Sequence, residues 1–376
     1  MRRAFILASI PLAGLCACGN PHQAPSLTLT PVLIGDGWER ADPAISGFDA
    51  SRLQSALLKA ADEPIDLHSV IVERHGHLIA ELYRPGKDKG VYSLFSTTKV
   101  FGPTTLHDTR SVGKSVVDLL LGIAEGQGKL GDLSKPALDF YPEFKDLQTP
   151  ERRAITLEHL LTMSGGFEWQ EGGPGRDDEH KLYWKWTPSY FVLSRPIAAL
   201  PGTRFTYNSG GDLVLADILA RATGAPLKDY ARTQLFEPLG ITDWEWTGDL
   251  HGRPMAFTGL RLRPRDMAKL GRLVLDHGVW QGKQIVPAAW IDASLQPRLE
   301  TGFDGTRYGY QWWTGTVRWQ GKPLPWAAAF GNGAERIFVV PDLDLCVVTT
   351  AGAYGDIEVA KRVDALLQEI VGTVQQ

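Results

Sequence analysis

The stretch Val116–Ala124 is apolar around its whole circumference if helical, with Asp118 its one charge, and Gly126 and Gly128 follow to end it. A helix with no polar face has to be enclosed on every side, so the fold must be built around this segment. The chain has the material to do it. Its 376 residues are 43% hydrophobic and 22% charged, which excludes disorder, a collagen-like repeat and a disulfide-stapled miniprotein. No long internal linker, 20–50-residue repeat or low-complexity tract is present, so one domain with two lobes is expected rather than a solenoid or a string of modules.

The elements around that helix fall into two textures. Ser69–Arg74 and Leu78–Tyr83 are β-branched or apolar runs that read as a hairpin turning at His75-Gly76-His77. Helical patterns follow at Leu157–Met163, Leu213–Ala222, Leu227–Leu235 and Pro264–Leu275. Strand texture returns at Tyr308–Trp313, Ile337–Val340 and Cys346–Thr350, before a closing helix from Ile357 to Ile370. Strands at both ends with helices between predict an α/β (α+β) sandwich: an antiparallel sheet from about 45–115 and 300–376, flanked by helices, plus a mainly helical lobe over about 116–299.

The start of the chain reads as an export leader. Met1-Arg2-Arg3 precedes an apolar run from Ala4 to Leu15 that is too short for a spanning helix. Leu15-Cys16-Ala17-Cys18 resembles a bacterial lipobox, with Leu at −3 and a small residue at −1 of the lipidated Cys. Cys16 and Cys18 both permit a register; Cys18, followed by Gly19, fits better. Residues 1–17 are then a lipoprotein signal peptide and 18–44 a tether, its first part polar with Pro21, Pro25 and Pro31. The mature protein would sit at the periplasmic face of a bacterial envelope, held to the outer membrane rather than the inner by a lipid on Cys18. Losing Arg2 and Arg3 makes a chain of charge −4 more acidic still, and no basic block is left to bind a phosphate backbone, so nucleic acid is not an expected partner. Cys346, in an apolar strand-like run, reads as a small hydrophobe and not a nucleophile.

Chemistry is concentrated at the start of the apolar helix. The nine His include no H-E-x-x-H, no Cys-x-x-Cys is present, and His75 and His77 read as an exposed turn, so neither a metal nor a cofactor is expected. Gly-x-Ser-x-Gly is absent, and Asp108–Ser115 imitates a phosphate loop with a carboxylate where its first Gly belongs. The same residues contain Ser111-Val112-Gly113-Lys114. A separation of three puts Ser111 and Lys114 on one helical face, and in the first turn the Ser111 N–H is free to meet a developing oxyanion. A buried lysine can lose its proton and serve as the base a serine needs. A second match, Ser96–Lys99, sits among β-branched residues before Gly102-Pro103 and reads as loop or strand.

Around this motif the sequence resembles the serine hydrolases related to class C β-lactamases, D-alanyl-D-alanine carboxypeptidases and 6-aminohexanoate-dimer hydrolases. The resemblance runs in order through Asp108–Ser115, Ile155–Gly166, Pro201–Gly210, Leu262–Leu270, Tyr308–Trp313 and Gly331–Pro341. It implies a β-lactamase/transpeptidase-like fold with Ser111 as nucleophile, Lys114 as its partner and Tyr207, from the Tyr-x-Asn element, as proton relay, its phenol pKa lowered by the Lys114 cation. The third position of that element is Ser209, with Asn208 one place early, and either could hold Lys114 or the substrate carbonyl. Gly331-Asn332-Gly333 stands where the family carries a Lys or His, so the cation is lost while Ala334 supplies a second oxyanion donor.

The resemblance thus implies an esterase or amidase of small acyl or oligoamide substrates acting through an acyl-enzyme, and a weak β-lactamase at best. A cell-wall D,D-peptidase and a non-catalytic ligand-binding protein on the same fold are the alternatives. Trp169, Tyr183, Trp184, Trp186, Trp312 and Trp313 could wall a pocket, although core packing suits each of them singly, and His159 reads as structural.

Overall fold

A computed structural model describes residues 26–172, 177–303 and 305–375. The lipobox and Cys18 lie outside the described residues. The strands that organise the fold are β1 Ser26–Thr28, β2 Leu67–Arg74, β3 His77–Tyr83, β4 Leu299–Glu300, β5 Arg307–Tyr308, β6 Trp313–Trp319, β7 Lys322–Gly331, β8 Glu335–Val340 and β9 Leu345–Ala351. The helices that matter for the site are α1 Ala50–Asp62, α2 Val112–Gly126, α3 Leu157–Leu161, α4 Pro188–Leu193, α5 Ser209–Thr223, α6 Pro264–Leu275, α7 Ala288–Ser294 and α8 Ile357–Val371.

The strands form one antiparallel sheet in the order β1-β3-β2-β9-β8-β7-β6-β5-β4, with the short strand Glu39–Arg40 parallel beside β3. The two ends of the chain therefore meet at the β2–β9 pair, where Val72 faces Val347. The expected hairpin is present: His75 and Gly76 both take positive φ, as a two-residue hairpin turn requires. His75 is engaged by Asp344 and His77 by the His75 carbonyl, so the two rings have separate partners. One face of the sheet packs on α1 and α8, through Leu53, Leu57, Leu366 and Ile370. The other face carries α6 and α2.

α2 is enclosed as its sequence demands, with every residue from Val112 to Ala124 buried. At ~1.5–3 kcal/mol per fully buried large side chain, Val117, Leu119, Leu120 and Leu121 alone hold it by several kcal/mol. Its one carboxylate becomes a clasp: Asp118 accepts from Trp290 Nε1 at 3.1 Å and Ser294 Oγ at 3.2 Å, both on α7, and from Trp312 Nε1 at 3.0 Å. Trp312 is thus a core residue.

The expected strand Tyr308–Trp313 is instead two strands separated by a turn. Gly309 passes so close to the Ser294 carbonyl that a Cβ there would meet it at 2.0 Å, and Gln311 takes φ +60 while its backbone N–H donates to the Leu161 carbonyl. Long-range hydrogen bonds override the local β pattern at this point. Among the described residues no helix is long and apolar enough to cross a membrane.

Candidate active site

Ser111 is the N-cap of α2 and Lys114 lies one turn on, almost wholly buried. The Lys114 Nζ donates to Ser111 Oγ at 3.0 Å and to the Phe257 carbonyl at 3.1 Å, and stands 4.9 Å from the centre of the Tyr207 ring. Three segments far apart in sequence therefore converge on one ammonium. Gly113 permits the approach, since a Cβ there would lie 2.8 Å from the Ala256 carbonyl oxygen, next to the Phe257 carbonyl that Lys114 uses.

Residues Gly331–Ala334 close the other side. They form the turn between β7 and β8, and it packs against the nucleophile segment so tightly that a Cβ on Gly331 would meet the Thr109 carbonyl at 2.4 Å. Gly333, at φ +123, leaves no room for a side chain between Glu335 and the Tyr354 ring. The Ser111 and Ala334 N–H groups take no backbone acceptor among the described residues. Both are approached through left-handed backbone on non-glycine residues, Arg110 at φ +50 and Ala334 itself at φ +74. Backbone held in such conformations is typical of functional turns.

The electrostatics depart from the sequence expectation in two places. Burial alone pushes the Lys114 ammonium down, but Tyr207, Glu171, Asp212 and Glu179 outweigh it and hold the group above the ordinary lysine value. The shift runs opposite to the one that burial alone gives, and it depends on negative charge on those neighbours. Tyr207 is also raised, because desolvation of its phenol outweighs the nearby cation that was expected to lower it.

The Asn208-Ser209 pair is used differently from the family pattern too. Asn208 caps α5, its side-chain oxygen accepting from Gly211 N–H at 3.0 Å. Ser209 binds Glu171, through its N–H to Oε1 and through its Oγ to Oε2 at 2.9 Å, while Trp169 Nε1 also donates to Glu171 at 2.7 Å. No hydrogen bond joins either residue to Lys114; both oxygens of Glu171 are taken by the Ser209–Trp169 set. Asn332 spends its side-chain oxygen on Gly355 N–H at 2.7 Å.

Three carboxyls of the site were not singled out in the sequence. Glu171 is pushed up to about 8 by burial and by the charge of Glu179, against the pull of Lys114. Asp212, on the first turn of α5, is fully buried with neither oxygen hydrogen-bonded, and burial raises it to about 7 although Lys114 opposes the shift. Glu335, directly after Ala334, is likewise buried with neither oxygen hydrogen-bonded, and burial raises it well above the carboxylate range. Asp212 shares its helix with Asp217 and Arg221, so neither it nor Glu171 nor Glu335 carried a local signal.

The arrangement brings together a hydroxyl, a cation touching it, a phenol beside that cation, two N–H groups without a backbone acceptor, and two carboxyls, Glu171 and Asp212, raised toward neutrality. That is the equipment of acyl transfer. Of the aromatic candidates, Trp313 stacks near Tyr207 at 6.1 Å, and Tyr183 is buried 5.9 Å from Phe257, whereas Trp184 and Trp186 are exposed. His159 completes a capping box with Thr156 at the start of α3. Cys346 is buried against Gly271, its thiol raised by burial. Lys99 of the second Ser-x-x-Lys match lies on the strand Thr97–Val100 and pairs with Asp88. No cluster of three or more potential metal ligands is found among the described residues.

Comparison with known proteins agrees with this geometry. A beta-lactamase family signature matches residues 68–370. The 6-aminohexanoate-dimer hydrolase of Paenarthrobacter ureafaciens is 26% identical over 82% of this chain and 80% of its own length. An esterase of Burkholderia gladioli is 27% identical over 54% of each chain. Among solved structures, a class C beta-lactamase of Rhodobacter sphaeroides superposes with a TM-score of 0.62 at 18% identity, covering 84% of this chain and 98% of that one. The octameric penicillin-binding protein homologue of Pyrococcus abyssi gives 0.61 at 19% identity, with 85% and 77% covered. At such identities the structural matches establish the fold alone.

Proposed function

This chain belongs to the beta-lactamase family, whose fold it shares and which includes ester and amide hydrolases among its relatives, and from that premise we propose that it is a serine hydrolase working through an acyl-enzyme on Ser111. The observation that carries the reading is the 3.0 Å contact between Lys114 Nζ and Ser111 Oγ at the mouth of a buried helix.

In this reading Ser111 Oγ attacks the carbonyl carbon of an ester or amide, and the oxyanion is received by the N–H groups of Ser111 and Ala334. With negative charge on its neighbours Lys114 rests protonated, and it accepts the Ser111 proton only after yielding one of its own to the carboxyls around it. Glu171 and Asp212 titrate near neutrality and suit that task. Tyr207 then delivers its phenol proton to the leaving oxygen or nitrogen as its bond to carbon breaks and takes back from Lys114 the proton that came from Ser111; water, giving its proton along the same path in reverse, hydrolyses the acyl-enzyme and restores Ser111.

The substrate class follows from what the site lacks. Asn332 takes the place of the family's cation, and the nearby Arg336 is spent on the Gly331 carbonyl and on Asp364, so a β-lactam or peptide carboxylate finds no dedicated positive group there; small acyl esters and short oligoamides remain. Hydrolysis of p-nitrophenyl acyl esters and of 6-aminohexanoate dimer, each beside Ser111→Ala, tests this. Turnover of one of them that vanishes in the variant is expected, and nitrocefin turnover matching a dedicated resistance enzyme would overturn the substrate assignment. The same proposal places the protein at the periplasmic face of the envelope through a lipid on Cys18. Labelling with a radioactive fatty acid that is lost in Cys18→Ser checks the anchor.

A further inference from the structure

A cavity of about 330 Å³ lies in the helical lobe between α4, α5 and the segment 249–257. It opens to solvent past Arg221 and Arg253, and its volume lies in the range of small-molecule sites. At ~30 Å³ per small group it would hold about ten non-hydrogen atoms. Its walls are apolar, made by Phe144, Leu182, Leu213, Leu227, Met255 and Phe257.

The charged residues of the lining are already committed to one another. Arg221 contacts Asp217 at 3.4 Å and Glu143 at 2.8 Å and stacks on Tyr141. Arg253 pairs with Asp249 at 2.6 Å and donates to the carbonyls of Lys185 and Trp186. Two guanidiniums matched by carboxylates leave no uncompensated charge to hold an anion or a cation. Beside them, Trp186 is 80% exposed and Leu250 57% exposed, adding apolar surface to a rim otherwise made of these charge pairs.

Phe257 separates this space from the nucleophile: its carbonyl holds Lys114, its ring is 5.8 Å from Lys114 Nζ, and it is buried. The cavity is therefore not the site described above.

We propose that this cavity is a second binding site, for a neutral apolar molecule or alkyl group of about ten non-hydrogen atoms. The lining selects by shape and by exclusion of water, and the paired rim selects against charge. The inference does not depend on the hydrolase reading, since nothing in it uses Ser111.

1-Octanol is a suitable probe, with octanoate as its charged counterpart. Titration calorimetry is expected to show one saturable 1-octanol site per chain and at least tenfold weaker binding of octanoate. Filling the void by Ala216→Phe or, separately, Ala220→Phe should weaken 1-octanol binding at least tenfold, with thermal melts confirming that the variant compared is folded. Two variants are made so that one misfolded protein does not decide the matter. Absence of saturable 1-octanol binding to the unmodified protein, equal affinity for octanoate, or undiminished binding by a folded filled variant would each overturn the proposal. All of these readouts stay valid if Ser111 proves unreactive, so failure of one reading is separable from failure of the other.

Discussion

Gly113→Ala is a small change that the structure makes large for chemistry and small for stability. The new Cβ would stand 2.8 Å from the Ala256 carbonyl oxygen and 3.9 Å from the Thr258 N. An ordinary carbon–oxygen contact needs roughly half an ångström more, and the obstacle is backbone, so the first turn of α2 or the segment 256–258 must move by about that amount. Alanine gains ~1 kcal/mol over glycine in a helix interior, while forcing a close contact costs ~1–3 kcal/mol, so the net loss of stability should be about 0–2 kcal/mol.

The displaced parts are the ones that carry Ser111, Lys114 and the Phe257 carbonyl between them. A misplacement of about 1 Å can cost a hundredfold in rate, so half that distance should cost roughly tenfold. The assay is the second-order rate of labelling by a fluorophosphonate probe, alongside ester hydrolysis and a urea melt. Gly122→Ala on the same helix is the control: its Cβ would strike the Trp290 ring at 2.4 Å, about three turns from the nucleophile. It should lose stability with a smaller effect on labelling. A Gly113→Ala protein that labels and melts like the parent would refute the claim that this close approach positions the site.

Other outcomes follow from the same contacts. Asp118→Ala strands three buried donors, Trp290, Ser294 and Trp312, and should cost about 3 kcal/mol or more in urea unfolding; a loss under about 1 kcal/mol would show the clasp to be unimportant. Asp88 is lowered to about 2: burial opposes this, but Lys99 and Arg261 outweigh it. A carboxyl lowered on folding stabilises above its ordinary value and loses that contribution as pH falls toward the folded one, so Asp88→Asn should cost about 2 kcal/mol at neutral pH and progressively less toward pH 2. Labelling of Ser111 should rise with pH through the region of about 7 to 8 where Asp212 and Glu171 ionise, and Glu171→Gln should flatten that rise; a profile in the parent that is level from about pH 6 to 9 would contradict the proton path.

Much of this architecture was legible because its signals are local. The all-round apolar α2, the His75-Gly76 hairpin and the bounds of α6 are each written within one run of residues. What stayed hidden depends on distant partners. β7 opens Lys322-Pro323-Leu324-Pro325, whose two prolines hide a strand locally, and it is the pairing with β6 that makes it one. The face of α6 that its charges would mark as solvated is buried, because Arg265 meets Glu81 and Arg272 meets Glu73 across the sheet. At the site, Ser111 and Lys114 were readable from their spacing. The partner of Ser209 lies 38 residues away at Glu171, and the proton state of Tyr207 turns on burial that no motif reports.

The central claim is that Ser111 is an activated nucleophile, and intact-protein mass after exposure of residues 18–376 to a fluorophosphonate probe tests it most directly. A single adduct on the parent protein that is absent from Ser111→Ala is the expected result. A folded parent that takes no adduct, or a Ser111→Ala protein that takes the same one, would contradict it and return the chain to the ligand-binding reading of its fold.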